Sequence, residues 1–140
     1  MAAYLLDTNI ISAILKRNED GARLNDKIKS ILKANDDILF CPVVFYEIIR
    51  GLYHKKADKQ LAFFERIAGC FEWRDLTKNT WDTGARLWAE CRMKGTPTGD
   101  GGDGIDKDVL IAAQAKEHNA VVITRNERHF QHFGVLYEIW

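Results

Sequence analysis

The chain has 140 residues, enough for one domain that buries roughly two thirds of the surface its unfolded form exposes, and residues 1–140 are read as one unit. A hydrophobic content of 46% and a charged content of 29% exclude a long disordered region, while a formal net charge of zero gives no overall basic excess for neutralising phosphates. Three widely spaced cysteines without a CxxC pair exclude a disulfide framework and a structural zinc site, and no apolar run approaches the roughly 20 residues of a membrane span, so a soluble, cytoplasmic, membrane-free protein is expected.

Tyr4-Leu5-Leu6 is a short apolar run that stops at Asp7, and Ile10, Ile11, Ile14 and Leu15 follow at helical spacing. The pattern predicts strand, acid, helix. A second amphipathic helix is expected over about Ala22 to Ala34, then a buried strand at Ile38-Leu39-Phe40. Pro42 suits the first turn of a third helix, running to about Tyr53. That helix reads as apolar on nearly every face, with Glu47 as the exception inside it.

A helix over about Ala57 to Ala68 and a strand at Phe71-Glu72-Trp73 come next, and Thr77 is placed to cap the following helix. Trp81, Ala85 and Trp88 are expected to form that helix's inner face. Gly95 to Gly104 reads as a mobile loop, longer than most connections in a compact domain. It contains the start of a GGxGxD calcium repeat at Gly101, but a single copy cannot stack, and it lacks the ending of a phosphate-binding loop. A helix carrying Val109 to Ala113 follows, then a strand at Ala120 to Ile123 and a last strand at Val135 to Ile139. Alternating strands and helices predict an α/β protein with a parallel sheet of four or five strands and helices on both faces.

Ligands of such a sheet bind beyond the carboxyl ends of its strands, where Asp7 and Asn126 both fall. Each acid also has a plainer explanation. Asp7 is a good N-cap, Asp106 and Asp108 suit a helix start, and Glu47 has Arg50 three residues on as a salt-bridge partner. Their convergence changes the weighting, because clustered carboxylates repel unless protons or a cation neutralise them. Hard oxygen ligands of this kind select Mg2+ or Mn2+, and such an ion points to phosphoryl chemistry.

Leu6-Asp7-Thr8-Asn9, Glu47 within Phe45-Tyr46-Glu47-Ile48-Ile49-Arg50-Gly51, Asp108-Val109-Leu110-Ile111-Ala112-Ala113 and Ile123-Thr124-Arg125-Asn126 occur in the order of PIN-domain motifs. Over essentially its whole length the chain resembles that family, and within it the VapC-type toxins of toxin–antitoxin pairs. The resemblance implies a PIN-like three-layer fold and a metal-dependent endoribonuclease whose site acids are Asp7, Glu47 and Asp108. It adds Asn126 as a residue orienting water or phosphate, with Asp106, Thr8, Asn9, Thr124 and Arg125 as weaker candidates. Many family members carry a fourth acid near the end of the next strand, whereas here Asn126 stands there and His129 lies three residues later.

An RNA substrate, a cognate antitoxin, a homodimer and Mg2+ or Mn2+ are the implied partners and cofactor. Arg125, Arg128 and the basic stretch from Arg50 to Arg66 are candidates for backbone contacts to RNA. Two alternatives stay open. One is a PIN-like RNA- or partner-binding module without turnover; the other is a haloacid-dehalogenase-like phosphatase, which normally has a second Asp where Asn9 stands.

Overall fold

The computed structural model describes residues 1–98 and 106–140, so the expected loop from Gly95 to Gly104, with its GGxGxD segment, lies largely outside the described residues. Five strands form one all-parallel sheet: β1 (Ala3–Leu6), β2 (Asp37–Phe40), β3 (Glu72–Trp73), β4 (Val121–Thr124) and β5 (Tyr137–Ile139), in the order β3-β2-β1-β4-β5. Among the described residues seven helices accompany them: α1 (Thr8–Leu15), α2 (Glu19–Lys33), α3 (Pro42–Lys55), α4 (Asp58–Ala68), α5 (Lys78–Lys94), α6 (Lys107–His118) and α7 (Glu127–Phe130). The α/β parallel sheet expected from the alternating pattern is what the chain forms.

Continuous apolar runs make the inner strands, because a parallel sheet covered on both faces leaves neither side polar. Leu5, Leu6, Val122 and Ile123 are all buried. From β1 the chain first builds outward through β2 and β3, then returns to lay β4 on the opposite side of β1. The carboxyl end of β1 is therefore the switch point, where flanking connections diverge and leave a crevice. Asp7 follows β1 directly, and its backbone N–H donates to Ile123 O at 2.9 Å, extending the β1–β4 ladder by one residue.

Two helices differ from their expected faces. α3 buries Val44, Ile48 and Leu52, one stripe at helical spacing, while Tyr46 is 60% and Tyr53 63% exposed. Glu47 is consequently half-buried beside the stripe and not enclosed by apolar side chains. In α5 the buried stripe is Thr80, Gly84, Leu87 and Cys91, whereas Trp81, Ala85 and Trp88 are exposed. The tryptophan spacing has the right period in the wrong phase. Small residues carry the contact because α6 packs close: a Cβ built on Gly84 would meet Leu110 Cδ2 at 2.8 Å.

Thr77 caps α5 as expected, accepting from Thr80 N while the Thr80 hydroxyl accepts from Thr77 N. That reciprocal pair satisfies two of the donors every helix start leaves open. No described helix is long and apolar enough to cross a membrane.

Candidate active site

A cavity of about 400 Å³ opens at the carboxyl edge of the sheet, and Asp7, Glu47, Asp108 and Asn126 all line it together with Thr8, Asn9 and Arg125. The fold brings these residues from four places: the end of β1, the middle of α3, the first turn of α6 and the turn after β4. Asp106 is not among them. Its carboxylate accepts from Thr98 Oγ1 at 3.1 Å and from the Trp88 indole N–H, which ties the start of α6 to α5. Although Asp106 occupies the N-cap position of α6, its side chain makes no capping bond.

Asp7 is buried and both its oxygens have donors: Thr8 N at 2.7 Å on Oδ1 and Thr124 Oγ1 at 2.7 Å on Oδ2. The sequence-level alternatives therefore coincide, since Asp7 starts α1 as its N-cap and faces the cavity as well. Burial pushes its carboxyl up to about 6, with the Asp108 charge adding to the rise; the Thr124 and Thr8 hydrogen bonds and Lys107 oppose it. A carboxylate held this high carries more negative surroundings and less water than its hydrogen bonds compensate.

Glu47 takes a different partner from the one its own helix offers. Lys107 Nζ pairs with Glu47 Oε1, and Thr8 Oγ1 donates to Oε2 at 3.1 Å. Arg50 instead lies over the Tyr46 ring, 5.1 Å from its centroid. Lys107 was invisible as a site residue in the sequence, because it stands out there only as the neighbour of Asp108.

Asp108, also buried, is backed by the turn after β4. His129 Nδ1 lies 2.6 Å from Asp108 Oδ2, and Asn126 Nδ2 donates to the same oxygen at 3.3 Å. An ionised carboxylate only accepts, so with Asp108 charged the Nδ1 atom carries the proton and donates. The Asn126 amide thus faces Asp108 in place of a fourth acid. Its own backbone N–H donates to Thr124 Oγ1 at 2.9 Å, so Thr124 links Asp7 to this turn.

Arg125 is engaged elsewhere. Its guanidinium bonds Asp20 at 2.7 Å and the Trp140 carbonyl at 3.0 Å, and its backbone N–H donates to Asn9 Oδ1 at 3.4 Å. Two arginines hold the exposed Asp20 carboxyl down at about 2, the hydrogen bond from Arg125 first and that from Arg23 second. Arg66 from the basic stretch stacks over Phe63.

A family model described as the PIN domain matches residues 4–136. Among solved structures, the chain is similar to VapBC2 from Rickettsia felis, bound to a DNA fragment from its promoter, at 25% identity and TM-score 0.82, with 99% of this chain and 98% of that chain covered. DNA-bound VapBC from Salmonella typhimurium matches at 26% identity and TM-score 0.81, covering 100% and 99%. VapBC-1 from nontypeable Haemophilus influenzae shares the fold at 22% identity and TM-score 0.76, covering 99% and 98%. No curated protein matches the chain.

Proposed function

The chain belongs to the PIN-domain family, and from that premise we propose that it is a divalent-metal-dependent endoribonuclease acting as the toxin of a toxin–antitoxin pair. The observation that carries the reading is the convergence of Asp7, Glu47 and Asp108, from three separate elements, on one cavity at the switch point of the sheet. Membership of this family supports the nuclease reading over the phosphatase.

The residues suit a hard cation in kind. Asp7, Glu47 and Asp108 offer oxygen donors, which favour Mg2+ or Mn2+ over softer metals. Asp7 is raised to about 6 first by burial and then by the Asp108 charge, so a cation beside the two acids favours its ionised form. Among the described residues, however, no three His, Cys, Asp or Glu side chains stand grouped as a finished ligand set. Glu47 is engaged with Lys107 and Asp108 with His129 and Asn126, so the side chains have to rearrange to hold an ion.

Held by Asp7, Glu47 and Asp108, such an ion would supply Lewis-acid chemistry for phosphate oxygens and for a water nucleophile. The chain's own side chains do the rest of the work. Thr8 and Thr124 orient Glu47 and Asp7 through their hydroxyls, while His129 and Asn126 fix Asp108. Asn126 accordingly serves in this proposal to position Asp108, ahead of any contact with water or phosphate. Similarity to the VapBC structures from Rickettsia felis and Salmonella typhimurium supports a toxin role with a cognate antitoxin; a homodimer in the cytoplasm is part of the same proposal.

Purified protein incubated with single-stranded and structured RNA should cleave it in Mg2+ or Mn2+, stop in a chelator, and lose activity in Asp7→Asn. Expression alone should arrest growth, and co-expression of a neighbouring small open reading frame should relieve the arrest. The Lys107–Glu47 pair favours one second reading, a binding module without turnover. RNA binding without cleavage under every metal condition would establish that module and sink the nuclease.

A further inference from the structure

We propose that Lys107 is an exchangeable cation of the cavity: it holds Glu47 while no divalent ion is bound, leaves when one enters, and then contacts a phosphate of the bound strand. The proposal rests on the ribonuclease reading above and names how that site switches between empty and loaded forms.

Both oxygens of Glu47 already have donors, Lys107 Nζ on Oε1 and Thr8 Oγ1 on Oε2 at 3.1 Å. Each oxygen keeps a second lone pair, so it is the charge of the donor, not its presence, that decides whether an ion can join it. The hydroxyl of Thr8 is uncharged and tolerates a neighbouring cation, but an ammonium beside a divalent ion is repelled by it. Lys107 is the partner that has to leave. Its pair with Glu47 is also only partly screened, since the two side chains are 25% and 21% exposed.

Glu47, on α3, is bonded to the first residue of α6, while Asp7 and Asp108 keep their own donors. Lys107 also lowers the electrostatic load on Asp7, so one ammonium answers two of the three acids.

Once released, the ammonium stays within reach of whatever occupies the cavity. Lys107 is the immediate neighbour of Asp108 and lines the same cavity, and its four-carbon stem lets the charge swing through several ångströms without moving α6. A compact ammonium is a good phosphate contact. Arg125 is less able to fill that role, being bonded to both Asp20 and the Trp140 carbonyl.

The test titrates Mn2+ into the full chain by calorimetry for wild type, Lys107→Gln and Lys107→Arg. Removing the competing cation should raise Mn2+ affinity about fivefold or more in Lys107→Gln, because the blocked form no longer lowers the competent fraction. Lys107→Arg should bind Mn2+ as wild type does. With Ca2+ in place of Mn2+, binding of a single-stranded oligoribonucleotide should show a log–log salt slope shallower by about 0.7 in Lys107→Gln, the loss of one phosphate contact. Equal or weaker Mn2+ binding by Lys107→Gln, or an unchanged salt slope, overturns the proposal while leaving the ribonuclease reading intact. Wild-type protein that takes up neither Mn2+ nor Mg2+ overturns that reading and this proposal with it.

Discussion

Thr124 Oγ1 donates to Asp7 Oδ2 at 2.7 Å across the seam between β1 and β4, and the same hydroxyl accepts from Asn126 N at 2.9 Å. One buried hydroxyl therefore sets the orientation of a site acid and the start of the turn that backs another. Thr124→Val keeps the shape and removes both bonds. Asp7 should then titrate above its present value of about 6, because the Thr124 bond is one of the influences holding it down. Mn2+ affinity should fall about 10- to 100-fold, the usual cost of losing a hydrogen bond behind a metal ligand. Calorimetry and a carboxyl-resolved NMR titration measure the two effects.

Asp7→Asn should make the ion-free protein more stable while abolishing cleavage. The Asp7 carboxyl ordinarily titrates at 3.8 and here at about 6, so the folded chain holds its proton more tightly than the unfolded chain does. Its favourable contribution is complete below pH 3.8 and is lost as the pH rises through 6. Asparagine is neutral throughout and escapes that loss. In a chelator at pH 7.5 the variant should gain on the order of 1 to 3 kcal/mol, and the gain should shrink towards pH 4. Equal melting temperatures at both pH values would show that burial does not penalise the Asp7 charge.

The sheet was legible because β1 and β4 are apolar runs too short for a helix that end in polar residues, the pattern of a covered parallel strand. Asp7 could be placed at the cavity from its position after β1 alone. Glu47 was expected there for a different reason from the one observed. The helix from Pro42 reads as apolar on nearly every face, yet Tyr46 within it is exposed, and Glu47 is half-buried against Lys107. Trp81 and Trp88 misled in the same way, since a large aromatic carries helical periodicity but needs space that the close α5–α6 contact at Gly84 does not leave. Lys107 and the His129–Asp108 contact were hidden because they join residues 60 and 21 positions from their partners through side chains alone.

Gly21→Ala should destabilise the fold although alanine favours a helix. Gly21 lies in the first turn of α2, and a Cβ there would stand 2.8 Å from Ala13 O and 3.1 Å from Ile14 O. These are backbone atoms of α1, which cannot rotate away. The propensity gain of about 1 kcal/mol is outweighed by an overpacking cost of about 1 to 3 kcal/mol. Urea unfolding should show a lower midpoint with an unchanged slope.

One thiol per chain should react quickly with a disulfide reagent in the native protein. Cys70 is exposed, whereas Cys41 and Cys91 are buried. Burial also pushes the Cys41 thiol up to about 11, which leaves almost no thiolate at neutral pH. Cys70→Ser should remove the fast phase, and denaturant should expose all three cysteines of the sequence. Rapid modification of Cys41 would contradict the packing of β2 against α3.

His129 stands where its Nδ1 meets Asp108 Oδ2 at 2.6 Å, and the ring is buried. On the proposed reading it positions Asp108, so its loss should be felt in ion binding and not only in folding. His129→Ala removes the donor and opens a cavity; Mn2+ affinity should fall about 10- to 100-fold and the melting temperature should fall with it. His129→Asn restores a side-chain donor without the ring's volume, and should recover part of the affinity but little of the stability. A purely structural histidine would give the reverse, with Mn2+ affinity unchanged in both variants once they are folded. The separation of the two readouts decides between a packing residue and one that aims a ligand.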